Sequence, residues 1–348
     1  MFLNRVQRKH IFLIVFFGLL FLFIAGISLG CELATKKEQP AMDEKWNLTF
    51  ATGFELSMFV HEDVFMPFFD EINKKTDGRV VIDYYFDGEL YGHIDAFDAV
   101  NRGMLDITYG SLSYFIGYHP SLEYGSLFFL ISEEDFISNY KETYEMTDQL
   151  LRKSNAKLLT LMPMSRNAII TVSEVTKPRD IEGLRIRGAS AGEISLIEEY
   201  GGIPASMSPG EVHDALDKGA INGVFSVLEG IRQMHWQEVA DYIVYPTGFP
   251  VYCVAMNFDV WESLPDDVKQ VIEKASENLF DLTMELGPKK DRETLELFEE
   301  AGKHINILSD EKYKFWREQT QPVYDNYLKN SEEAGEGDFA RRILEMYR

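Results

Sequence analysis

Two arginines, Arg185 and Arg187, stand two positions apart in the run Leu184–Arg187, and a Gly-Ala-Ser-Ala-Gly turn follows at once. Successive side chains of a strand point to opposite faces, so both guanidinium groups are expected on the same side of a sheet. Burying an unpaired cation is costly, so that side must hold water or an anion. Spacing alone leaves both readings open: edge-strand charges in solvent, or an anion site. The turn suggests a second chemistry. Gly188-Ala189-Ser190-Ala191-Gly192 matches the GxSxG elbow that presents a nucleophilic serine between a strand and a helix, and His213, His235 and His304 follow it. Against a serine esterase, the feeding strand of an elbow is central and apolar, whereas this one reads Leu-Arg-Ile-Arg, and no HGGG-like oxyanion loop precedes it. The esterase stands as the alternative reading.

These residues need elements to hold them. The pattern predicts a strand over Leu184–Arg187, a helix from about Glu193 to Tyr200, a Gly201-Gly202 turn and a second helix. Ser208 can cap that second helix, Pro209 suits its first position and Glu211 completes a capping box. The seven histidines are scattered, with no HExxH or Cys/His spacing, so no metal site and no cofactor is expected. Of the two cysteines, Cys253 falls in a strand-like apolar run, where an inert buried thiol is expected.

The net charge of −23, with no clustered basic patch to offset it, argues against nucleic acid as a partner. An anion site on such a chain must be local and recessed. With 45% hydrophobic residues in 348, the chain can bury one large core or two smaller ones, and two are expected. An α/β domain I is expected over 45–156, with strands at Trp46–Thr52, Val80–Phe86 and Leu105–Tyr109 and intervening helices, the first over Ser57–Lys75. That order implies parallel pairing, and ligands of such sheets lie beyond the carboxyl ends of the strands. Those ends are Thr52-Gly53-Phe54, Asp87-Gly88-Glu89 and Gly110-Ser111. An α/β domain II is expected over 157–257, with the chain crossing back to domain I near 242–257. A helical region over 258–348 then packs on both domains, its helices separated at Gly287-Pro288.

The N-terminus reads separately. Arg5, Arg8 and Lys9 precede the apolar run Ile11–Gly30, which ends immediately before Cys31. A cleaved signal peptide, an uncleaved anchor and a lipoprotein signal all fit this pattern. Ser28-Leu29-Gly30-Cys31 is similar to a bacterial lipobox, although Ser28 stands where Leu is usual. On the lipoprotein reading residues 1–30 are the signal, Cys31 is lipidated and holds the protein to the membrane, and 31–44 are a tether.

From the tether onward the chain resembles the extracytoplasmic solute-binding proteins of tripartite ATP-independent periplasmic (TRAP) transporters, the DctP type. The resemblance rests on GLRIR, GGIPASM, EVHDALDKGAINGV and HWQEVADYIV, supported by TDGRVVIDYYFDGEL, VNRGMLDI and SLPDDVKQVIEKA. It implies an α/β, two-domain periplasmic-binding-protein (Venus-flytrap) fold with long C-terminal helices. It also implies an extracytoplasmic protein without catalytic activity that captures a small organic acid and passes it to membrane permease subunits; a binding subunit of a sensor or an ATP-driven importer is the other receptor reading. Arg187 matches the arginine that grips the substrate carboxylate in the family, and Arg185 is assigned to a structural pair. Arg166 matches a second, variable cleft arginine; Ser190, Phe225 and Ser226 fall at cleft positions. In the first domain Phe54, Glu89, His93 and Ser111 are the cleft-facing candidates. With Tyr114, Phe54 and Phe225 would give a lining suited to an apolar or aromatic acid.

Overall fold

Strand β1 (Trp46–Ala51) alternates between a buried face, Leu48 and Phe50, and a more open one, Asn47 and Thr49, as a strand with one face on a core must. The computed structural model describes residues 44–54, 60–163 and 165–347. The leader, the tether and Cys31, and with them the lipoprotein expectation, lie outside the described residues. Everything that follows belongs to one compact unit, Lys45–Arg348.

A π-helical turn at Val60–Phe65 leads into α1 (Met66–Lys75), which buries Phe68, Phe69 and Ile72. Asp77 and Gly78, both at positive φ, then reverse the chain into β2 (Val80–Tyr85). Helix α2 (His93–Asn101) and β3 (Ile107–Ser111) follow, and β2 and β3 flank β1 in parallel. Helix α3 (Glu133–Leu151) precedes β4 (Ala156–Met162), whose seven residues are all buried. Lys157 is among them, 3% exposed, and is matched by Asp148 at 3.2 Å.

The second sheet begins with β5 (Asn167–Thr171) and β6 (Arg185–Arg187), followed by α4 (Ala191–Glu199) and β7 (Ile203–Ala205). Next come α5 (Pro209–Asp217), β8 (Gly223–Val227), α6 (Leu228–Gln233) and β9 (Tyr242–Tyr245). The chain then returns to the first sheet as β10 (Tyr252–Asn257), antiparallel between β3 and β4. After α7 (Phe258–Ser263) and α8 (Asp266–Glu300), β11 (His304–Ile307) joins the second sheet, and α9 (Asp310–Gln319), α10 (Gln321–Glu333) and α11 (Gly337–Tyr347) end the chain. The sheet orders are β2-β1-β3-β10-β4 and β11-β9-β5-β8-β6-β7. The result is an α/β molecule of two sheet-centred lobes.

Three features depart from the sequence expectation. Strand β4 lies in the first sheet, so the change of lobe comes after Met162 rather than at 157. Helix α8 runs through Gly287 and Pro288 without a break. Proline removes one backbone hydrogen bond there, but the buried stripe Ala275, Leu279, Thr283, Gly287, Asp291, Thr294 and Phe298 continues at helical spacing on both sides of it. Packing against β4 in one lobe and β11 in the other outweighs the lost bond. Strand β11 pairs in parallel with β9, in a stretch expected to be helical.

The C-terminal helices tie the lobes together. Tyr324 and Tyr327 donate their hydroxyls to the carbonyls of Phe128 and Ser121, and the hydroxyl of Tyr347 meets that of Thr143 at 2.7 Å. One apolar cluster runs from Phe97 and Phe115 in the first lobe, through Leu127–Ile131, to Ile186 and Phe225 in the second and to Trp316 on α9.

Candidate functional site

Strand β6 sits between β8 and β7, in parallel with both, and carries the two arginines to different surroundings. Arg185 is exposed. Its backbone amide, not its side chain, is engaged, donating to Asn222 Oδ1 at 2.9 Å; the structural ion pair expected of it is not formed among the described residues. Arg187 is only 7% exposed. Its Nε donates to the carbonyl of Met207 at 3.4 Å, no carboxylate lies within ion-pair distance among the described residues, and it lines a cavity of about 470 Å³. Burial pushes the guanidinium down from its usual value, while Glu193 and Tyr114 act to raise it; it stays protonated at any physiological pH.

The turn after β6 is built around the start of α4. Ser190 is the N-cap residue, its hydroxyl accepting from the amide of Glu193 at 3.2 Å. The Glu193 carboxylate reaches back to accept from the amide of Ala189 at 2.5 Å. The serine bond caps the helix, and the carboxylate bond fastens the residue before the cap, a variant of the reciprocal capping box. Glu193 is 9% exposed and lines the same cavity as Arg187. Burial pushes its carboxyl up to about 7, against the opposing pull of the Ala189 amide and of Arg187.

The first lobe faces this cavity with rings. Phe54 lies edge to face with His93 at 4.6 Å and with Tyr252 at 5.8 Å, and His93 is tilted against Tyr114 at 5.8 Å. All four line the cavity. Burial lowers the His93 imidazole from its usual value, and its Nδ1 is buried without a hydrogen-bond partner. Gly53 makes the approach feasible, since a Cβ there would lie 2.7 Å from the His93 amide nitrogen and 2.8 Å from the ring. Ser111 caps the short 3₁₀ turn Leu112–Phe115 and shares a 2.7 Å contact with the Ser113 hydroxyl. From the second lobe come Phe225, whose ring stacks on Phe128 at 5.1 Å, and Ser226.

The family of bacterial extracellular solute-binding proteins, family 7 (DctP), matches residues 50–330. This chain belongs to that family. A C4-dicarboxylate-binding periplasmic protein DctP from Rhodobacter capsulatus is 26% identical over 267 residues, covering 74% of this chain and 79% of the relative. Among solved structures, a TRAP solute-binding protein from Chromohalobacter salexigens with bound D-glucuronate superposes with a TM-score of 0.78 at 23% identity, over 86% of this chain and 99% of that one. One from Desulfovibrio salexigens with bound orotic acid gives 0.78 at 18% identity, over 87% and 99%. The chain is a DctP-type binding protein of the TRAP class with the two-domain flytrap fold. The family is one of periplasmic solute receptors rather than enzymes. Among the described residues no helix is long and apolar enough to cross a membrane.

In this DctP-type protein Ser190 has the setting of a helix cap, and no imidazole is hydrogen-bonded to it among the described residues. Of the residues expected in the cleft, the structure gathers Arg187, Ser190, Phe225, Ser226, Phe54, His93 and Ser111 around one cavity and places two elsewhere. Arg166 is held by Asp291 at 3.0 Å and by Glu133, and borders a separate cavity beside the start of α3 and α9. Asp291 in turn accepts from Ser165 Oγ at 2.6 Å and Tyr245 Oη at 2.9 Å, so Arg166 closes a buried polar junction where the chain changes lobes. Glu89 is exposed: Asp87 and Gly88, both at positive φ, turn its amide back onto the Phe86 carbonyl. Sequence reasoning passed over Glu193, although Ser190-x-x-Glu193 is a readable capping box. It also passed over Tyr252, which β10 brings opposite Ser111; a cross-sheet neighbour so distant in sequence leaves no local signal.

Proposed function

We propose that this protein captures an organic acid in the cavity between its two sheets, with Arg187 gripping the ligand carboxylate, and delivers it to the membrane subunits of a TRAP-type transporter. The observation that carries the reading is a nearly buried guanidinium lining a cavity with no carboxylate partner among the described residues. A planar fork of donors suits a carboxylate bidentately, and a desolvated cation of this kind favours an anion. The ligands named for the relatives, a C4-dicarboxylate, D-glucuronate and orotic acid, all carry a carboxylate, which supports the same chemistry here. Seated on Arg187 from the second lobe and on the rings of the first, the ligand bridges the lobes and favours their closure over it. Ser190, Ser226 and Ser111 supply further hydrogen-bonding groups along the cavity. On the lipoprotein reading, removal of residues 1–30 leaves a lipidated Cys31 that would tether the protein outside the membrane; an intact Met1 in the mass spectrum of membrane-extracted protein refutes that reading.

The carboxylate grip is tested by calorimetry with an organic acid found by thermal-shift screening. Arg187→Lys keeps the charge and loses the fork, and is expected to weaken binding at least ~30-fold, about 2 kcal/mol, with the ligand-free melting temperature little changed. Unchanged affinity in that variant refutes the assignment.

A further inference from the structure

The charge inventory of the cavity narrows the ligand, given the carboxylate reading of Arg187 on which this step rests. Among the described residues lining it, Arg187 is the lone Lys or Arg and Glu193 the lone carboxylate. The other arginine within reach in sequence terms, Arg166, is committed to Asp291 and Glu133. Residues 55–59 read Glu-Leu-Ser-Met-Phe and contain no basic side chain. A ligand with two carboxylates therefore finds a cation for one of them. The second would be desolvated without a partner and in the company of Glu193, which is the expensive way to bury a charge.

The rest of the cavity favours an uncharged ring. Phe54, His93, Tyr114 and Tyr252 form a contiguous aromatic wall with centroid separations of 4.6 to 5.8 Å, and each of the four is part-buried. Such rings offer stacking and edge-to-face contacts beyond simple apolar area. Burial lowers the imidazole in this wall from its usual value, which disfavours a second cation there. A cavity of about 470 Å³ has room for a one- or two-ring acid.

We infer that the ligand is a monocarboxylate with a flat, uncharged ring: the carboxylate on Arg187, the ring against the Phe54–His93–Tyr114–Tyr252 wall, and no second cation to receive a further anion, which Glu193 opposes whenever it is ionised. The ligand so inferred differs from the C4-dicarboxylate named for the Rhodobacter capsulatus relative.

The test is calorimetry on the full extracytoplasmic chain with matched probes. Benzoate, phenylacetate and indole-3-acetate are the ring monocarboxylates, cyclohexanecarboxylate is the saturated ring, and phthalate and succinate are the diacids. At least one ring monocarboxylate should bind, with the diacids ~100-fold weaker for want of a second cation and the saturated ring ~10-fold weaker for want of aromatic contacts. At pH 8, where Glu193 is ionised in the free protein, Glu193→Gln, which keeps an acceptor for the cap, should narrow the gap to phthalate at least ~5-fold. Phthalate or succinate binding as tightly as the ring monocarboxylates overturns the inference, and so does the absence of binding by all three ring monocarboxylates. Tight diacid binding that is lost in Arg187→Gln leaves the carboxylate reading standing while this inference falls. Binding of neutral sugars alone, or acid binding that survives Arg187→Gln, removes the carboxylate reading itself.

Discussion

Replacing Glu193 by Gln tests the site through its pH dependence. Burial raises this carboxyl from 4.5 to about 7. The folded protein thus holds a proton, between those values, that the unfolded chain has released. Stability of the ligand-free protein is therefore lowered by this group as pH rises through that window and levels off above it, by about 3 kcal/mol in all. A carboxylate arriving at Arg187 adds negative charge near Glu193 and is favoured when Glu193 is protonated. From pH 6 to pH 8 the protonated fraction of a group titrating at 7 falls from roughly 0.9 to roughly 0.1, so affinity weakens by up to about tenfold. The arginine and tyrosine neighbours hold their charge state across this range, and protonation of His93 at low pH, which would favour an anion in the same sense, persists in the variant. Arg187 stays charged, Tyr114 is pushed up to about 12, Tyr252 is pushed up as well, and His93 is lowered. Glu123, set against Gly192 and also raised by burial, remains in the variant and so serves as the internal control. The assay is calorimetry of the tightest ring acid at pH 6, 7 and 8 in phosphate and in Tris, whose different ionisation enthalpies report proton uptake on binding. Glu193→Gln should flatten the pH profile and abolish the uptake. Equal slopes in the two proteins, or tighter binding at higher pH, would refute the reasoning.

Two further outcomes are expected. Asp291→Ala leaves Arg166 and Tyr245 short of a partner in a buried junction and should cost about 3 to 5 kcal/mol in urea denaturation at neutral pH; a loss below about 1 kcal/mol would show the junction to be dispensable. Cys253 is fully buried, and burial pushes its thiol well above the ordinary range, so native protein should resist thiol reagents that label it promptly in denaturant.

Periodic apolar residues made most of the framework legible before the structure. Phe68, Phe69 and Ile72 marked α1, and the β-branched and aromatic run at Val80 marked β2. The pair Arg185 and Arg187 stood out as cations within a strand, and the resemblance to the family, not the spacing, singled out Arg187. The misses share a cause. At α8 the buried stripe is carried partly by Thr283, Asp291 and Thr294, polar residues that dilute the apolar signal just where Gly287-Pro288 suggests a break. Arg166 and Glu89 could not be placed because their surroundings depend on partners distant in sequence, Asp291 for the first, and on a local left-handed turn for the second. Glu193 was readable as a cap, but its presence in the cavity follows only from how α4 docks.

The insertion of β10 between β3 and β4 has a consequence for how the molecule is made. As the chain emerges from its N-terminus, β3 has β1 on one side, and its other edge waits for residues 252–257. The whole of the second sheet except β11 is synthesised in that interval. Until Tyr252–Asn257 is available, an edge carrying Ile107 and Tyr109 offers unpaired backbone groups to any strand that passes. Neither sheet is therefore complete before β10 is made, the first lacking β10 and the second β11, and a fragment ending before β10 should be prone to aggregation rather than stand as half a receptor.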